Sequence, residues 1–163
     1  MQENIQTIIL KTLTQNEDYC RKALPHIKSE YFENEHKPVY DLFLQFIGKY
    51  NKLPASPVLD IEFQKSNFVN RQDRTDIVNL ILELDKPSEC DMDWLLTTTE
   101  RWCKDRAIYL AIMSSINIID GKDKKNAEGA IPEILTKALS VSFDSNVGHD
   151  YIENAEGRFN FYH

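Results

Sequence analysis

The sequence predicts an all-α fold: a small helical bundle, a long α-hairpin and a C-terminal linker helix. Three observations predict it. Apolar residues recur at spacings of three and four in nearly every segment between turn formers, and no apolar–polar alternation lasts long enough to read as a strand. Prolines fall at the starts or just past the ends of those segments, where helices tolerate them. The stretch from Met92 to Ile119 has no glycine or proline at all and makes a helix on the order of 40 Å long.

The elements follow in order. Ile5, Ile8, Ile9 and Leu13 set the stripe of a first helix, and Asn16 stands where a cap belongs. A second helix carries Tyr19, Cys20, Ala23 and Leu24 and ends before Pro25, because the residue before a proline avoids the helical region. From about Asn34 a third helix presents Val39, Leu42, Phe43, Phe46, Ile47 and Tyr50, the strongest local pattern in the chain. In "LPASPVLDIEF", Ser56 is the expected cap and Pro57 the first helical residue of a fourth. Asn70 is the expected cap of a fifth, through Ile77, Val78, Ile81 and Leu84, closed at Pro87.

Length and composition bound what such a chain does. At 163 residues it fits one domain, or one compact domain with an appendage, burying roughly 70% of its unfolded surface. With 42% hydrophobic and 28% charged residues it is too apolar to remain disordered. A formal charge of −7 opposes a general phosphate-binding surface. Cys20, Cys90 and Cys103 form neither a disulfide framework nor a C-x-x-C zinc pattern, which predicts a reducing cytoplasm. The N-terminus lacks a secretory leader and no apolar run spans a membrane, so the expectation is a protein neither secreted nor membrane-spanning.

The long helix has two unlike halves. The first sets Glu100, Arg101, Lys104, Asp105 and Arg106 among Trp94, Leu95, Trp102 and Cys103; the second, "AIYLAIMSSINII", is apolar almost all round. A helix apolar on every side must be covered on more than one side. One cover lies in cis: after the polar turn "DGKDKKNAEG", Ile131, Ile134, Leu135, Ala138 and Leu139 form the stripe of a shorter helix with Pro132 in its first turn. The other face is left for the N-terminal bundle or for a second copy of the chain, and a rod this long should project beyond five short helices, which favours the second copy. The expected subunit interface is therefore Ile108, Ile112, Ile116 and Ile119 with Ile131, Ile134, Leu135 and Leu139.

Turn formers from Asp144 to Gly148 then lead to Asp150, the cap of a last helix whose docking face is Tyr151, Ile152, Ala155 and Phe159, with Tyr162 beyond. A seam with nothing after it either packs back on its own bundle or docks in a groove elsewhere, and its abrupt finish predicts a longer parent chain. The organisation is a bundle over 1–90, an oligomerising hairpin over 91–143, and a linker with its helix over 144–163.

Catalytic patterns are sought without success. Gly48, Gly121, Gly129, Gly148 and Gly157 offer no P-loop pair, and there is no G-x-S-x-G elbow. No metal or cofactor is expected in this segment. His149-Asp150 resembles half of a metal-dependent phosphohydrolase site, but a cap residue behind a solvated histidine explains it as well. "KDKK" at 122–125 reads as a solvated loop tip, with nucleic-acid contact as the alternative, and Trp94 and Trp102 read as core residues on one helical face, with base stacking as the alternative.

The order of features resembles a known family. "LPHIKSEYFENEHKPVYDLFLQFIGKY" followed by "LPASPVLD" resembles the N-terminal domain of hexameric DnaB-type replicative helicases, with Tyr31, Phe32 and His36 matching its bundle motif. "GAIPEILTKALSVSFDSNVGHDYIENAEGRF" resembles the segment before the motor in the T-even phage members. The resemblance implies a collar whose hairpins pair between subunits, the pairs building a hexameric ring, and a linker helix docked on a neighbouring subunit's ATPase domain. It implies ATP and Mg in a motor domain outside this chain, DNA met mainly through that motor, primase and helicase loader as partners, and the cytoplasm of an infected bacterial host. The alternatives are the helicase-binding helical bundle of a primase and a metal-dependent hydrolase at His149-Asp150.

Overall fold

A computed structural model describes residues 4–66 and 71–143. Among the described residues all regular structure is helical: α1 (Ile5–Gln15), α2 (Glu17–Ala23), α3 (His36–Tyr50), α4 (Ser56–Lys65), α5 (Arg71–Glu83), α6 (Met92–Ile119) and α7 (Ile131–Leu139), with short 3-10 turns at Leu24–His26, Ser29–Tyr31 and Glu128–Ala130.

Caps decide where these helices begin. Asn4 Oδ1 accepts from Gln6 N at 2.8 Å, and Asn16, which ends α1, caps α2 by accepting from Tyr19 N at 2.9 Å. Asp91 caps α6 through Trp94 N at 3.0 Å, a start signal that sequence reading passed over. The expected cap at Ser56 is corrected: Ala55 holds that position, Ser56 is the first helical residue, and its buried hydroxyl donates to the Ile81 carbonyl at 2.6 Å. A hydroxyl that meets a carbonyl of a neighbouring helix has no reason to cap its own, so Ser56 ties α4 to α5. The third helix starts slightly later than expected, since Asn34 sits in the left-handed region at φ 51°. Asn70 lies outside the described residues.

The core gathers Ile9, Leu10 and Leu13 of α1, Tyr19 of α2, Tyr40 and Phe43 of α3, Leu59 and Phe63 of α4, and Ile77 and Ile81 of α5. The first half of α6 completes it with Leu95, Thr99 and Cys103, and Thr99 Oγ1 meets the Tyr19 hydroxyl at 2.7 Å inside the core. The long helix is therefore rooted in the bundle, and only its second half projects. Trp102 is part of that root. Trp94, expected in the core beside it, is instead half exposed. Eight residues advance a helix by about 80°, so the face that turns Trp102 inward turns Trp94 outward.

Beyond the bundle α7 packs back on α6, and Ala111, Ser115 and Ile118 of α6 are buried, as is Ala138 of α7. Small residues at this seam let the two helices approach closely, and the Ser115 hydroxyl is satisfied within its own helix by the Ala111 carbonyl at 2.8 Å. No described helix is long and apolar enough to cross a membrane.

Candidate subunit and partner interface

Two groups of residues carry the functional expectation, and the fold treats them differently. Tyr31, Phe32 and His36 are all buried. Phe32 packs at 4.6 Å from Tyr40 and 4.9 Å from Trp102, and Tyr31 meets Trp102 edge-on at 6.1 Å. Arg106 Nε donates to the Tyr31 carbonyl at 2.7 Å, while its Nη1 lies 3.8 Å from Glu33 Oε1. His36 Nε2 is 2.8 Å from Thr7 Oγ1. Burial holds the His36 pKa below its ordinary value against the opposing pull of Glu35, so the ring stays neutral at pH 7. Tyr31 and Phe32 make a joint between bundle and rod, His36 ties α3 to α1, and none of the three offers a face to a ligand.

The same joint carries residues that sequence reading did not single out for a role. Glu100 Oε2 accepts from Phe143 N at 2.6 Å and from Ser142 Oγ at 3.2 Å, and the Phe143 ring stacks on His26 at 4.5 Å. The chain leaving α7 is thus clasped to the root of α6. Trp102, Arg106 and Glu100 fall four and two residues apart on the rod's first half, and their mixed charge had the look of an ordinary solvated face.

The hairpin residues behave in the opposite way. Ile112, Ile116 and Ile119 on α6 are 47%, 43% and 63% exposed, and Leu139 on α7 is 59% exposed. Ile108, Ile131, Ile134 and Leu135 are half-buried at the margin of the α6–α7 contact. At about 100° per residue, Ile112, Ile116 and Ile119 form one stripe roughly a third of a turn from the face that Ala111 and Ser115 turn to α7. Tyr109, also exposed, extends that stripe toward the bundle. Sequence reading left it out, although its three-residue spacing from Ile112 is the same signal. A row of large apolar side chains in water on a helix that is fixed at its root has the geometry of a docking seam.

Nucleophilic chemistry finds no purchase at the buried cysteines. Burial pushes the Cys20 and Cys103 thiols up to about 12, which leaves them protonated and unreactive at neutral pH. Among the described residues no group of three or more His, Cys, Asp or Glu is placed to hold a metal. Tyr151, Ile152, Ala155 and Phe159 of the expected linker-helix face, and the His149-Asp150 pair, lie outside the described residues.

No family model matches the sequence. A comparison with characterised proteins does find a relative: the DnaB-like replicative helicase of Enterobacteria phage T4, 33% identical over 161 residues that take in 93% of this chain. The chain is similar to a phage replicative helicase. It spans about a third of that relative's length, 34%. The likeness runs through both bundle and hairpin, so the buried joint and the uncovered stripe both fall within it.

Proposed function

We propose that this chain is the collar and partner-docking region of a phage replicative DNA helicase, a structural scaffold whose full-length parent unwinds DNA at the replication fork using ATP. The observation that carries this reading is the uncovered stripe Ile112, Ile116 and Ile119, on a rod one of whose other faces is already occupied by α7. Apolar surface of this kind is stabilised when a second copy covers it, and a two-fold contact covers both copies at once because each presents the same patch. Hairpin pairs of this type build a hexameric ring.

In this reading residues 1–163 hold no cofactor and do no covalent chemistry. ATP and Mg belong to the parent's motor domain, which also makes most of the contact with DNA. Tyr151, Ile152, Ala155 and Phe159 couple adjacent subunits by docking on the neighbour's ATPase domain. Primase and a helicase loader are the partners received at the collar, in the cytoplasm of the infected bacterial host. The likeness to the T4 helicase and the buried joint that fixes the rod on its bundle both support this assignment. Sedimentation velocity over a range of protein concentrations tests it: pairs or larger closed assemblies are expected, and a strict monomer at the highest concentration overturns it.

A further inference from the structure

A third face of α6 is turned to neither α7 nor the isoleucine stripe. Leu110, Met113 and Asn117 form the floor of an open groove there, and Lys122, Lys124 and Lys125 of the hairpin turn stand at its far end. The turn has a fixed backbone. The Asn117 carbonyl accepts from the amides of Lys122 at 2.9 Å and Asp123 at 3.2 Å, and Gly121 takes the left-handed φ of 76° that ends the helix. Asp123 Oδ1 then accepts from Lys125 N at 2.8 Å and Asn126 N at 3.2 Å, and its Oδ2 accepts from Asn126 Nδ2 at 3.0 Å. Three exposed lysines are thereby carried on a rigid hook at one end of an apolar floor, and none pairs with a carboxylate among the described residues. In a chain of formal charge −7 this is a local reversal of sign.

We propose that this groove is a second docking face, for a partner protein's short amphipathic acidic helix whose carboxylates meet Lys122, Lys124 and Lys125 and whose apolar side chains lie on Leu110 and Met113. Methionine suits such a floor because its unbranched side chain adapts to the shape laid on it. A polynucleotide fits less well: the floor is apolar, and its described lining has no aromatic ring or arginine on which bases could stack. The proposal rests on the partner-docking half of the function above and is independent of the pairing half.

The test is an amide chemical-shift titration of the full chain with a synthetic helical peptide, one face glutamates and the other leucines. Three controls accompany it: the same peptide with serine for leucine, a deoxythymidine oligonucleotide, and a peptide of residues 150–163. The expected result is shifts confined to Leu110, Met113, Asn117 and 122–125, with the serine peptide binding more weakly. Lys122→Glu, Lys124→Glu and Lys125→Glu combined, all on the exposed turn, are expected to weaken binding roughly tenfold or more, since each rim charge contributes modestly. Ile116→Glu is expected to leave binding unchanged while dispersing pairs, so that loss of pairing and loss of the groove register separately. Shifts on the isoleucine stripe, no shifts, or tighter binding of the oligonucleotide at equal salt would each overturn the proposal. So would displacement of the probe by the 150–163 peptide, which would make the chain's own tail the occupant.

Discussion

Replacing Ile116 with glutamate should separate pairing from folding. Ile116 is 43% exposed in the single chain, so pairing has somewhat under half of an isoleucine side chain left to cover. Full burial of such a side chain is worth about 1.5–3 kcal/mol, which puts the uncovered share at roughly 1 kcal/mol. A two-fold contact counts it twice, giving about 2 kcal/mol per pair. Glutamate removes that gain and brings a carboxylate into each half of the seam, where desolvation at a half-exposed position adds about 1 kcal/mol per copy, or about 2 kcal/mol per pair. A combined loss near 4 kcal/mol weakens association about a thousandfold. Sedimentation velocity should show wild-type pairs persisting to concentrations at which the variant is monomeric. The circular dichroism spectrum and melting temperature should stay close to those of wild-type monomer, because Ile116 makes little of the bundle core. An Ile116→Glu protein that sediments like wild type would refute the argument, and so would a variant that loses its helicity.

Three further outcomes are expected. Burial depresses the His36 pKa below its ordinary 6.5, so its contribution to stability is fully present above that value and is lost as pH falls through it toward the folded-state pKa; the urea midpoint should drop with acidification over that window. His26 is shifted in the same direction by burial, so His36→Gln, which retains a partner for Thr7, should flatten the pH dependence without abolishing it. Trp102→Ala empties the contact with Tyr31 and Phe32 and should cost about 3 kcal/mol by chemical denaturation, the low end for a tryptophan because the ring is only half-buried. Glu100→Ala releases the Phe143 amide, whose hydrogen exchange should accelerate at least tenfold while α6 amides near Ala111 keep their protection; unchanged exchange at Phe143 would mean the clasp does not hold the chain.

The α6–α7 hairpin was legible in outline because its signals are local. Absence of glycine and proline over Met92–Ile119, the polar turn and Pro132 in the next first turn all belong to single segments, and the observed helices begin and end as those residues direct. Asn16 was readable for the same reason, since a cap acts within three residues of itself. What escaped depended on distant partners. Ser56 looks like a cap until the Ile81 carbonyl is known to lie above it. Glu100 and Arg106 look like solvated charges until Phe143 and Tyr31, each more than forty residues away in sequence, are brought to them. Trp94 was misplaced because a spacing of eight was taken as one face when its true offset is about 80°.

An apolar helix surface announces that it will be covered but carries no label for what covers it. In the second half of α6 that ambiguity resolves only when the root is fixed: Trp102, Arg106 and Cys103 set the rotation of the helix, and the rotation then assigns Ala111, Ser115 and Ile118 to α7. Once one face is spent in cis, the isoleucines at 112, 116 and 119 and the floor at Leu110 and Met113 are left on two different sides of the rod. In the proposed collar the buried joint and the exposed stripe act as parts of one device. Loosening Tyr31, Phe32 or Trp102 should turn the rod about its axis and misalign the pairing seam without touching any residue in it. A Trp102 variant that stays folded yet pairs less tightly would separate this coupling from simple loss of stability, whereas full-strength pairing on a loosened root would show that the stripe finds its partner unaided.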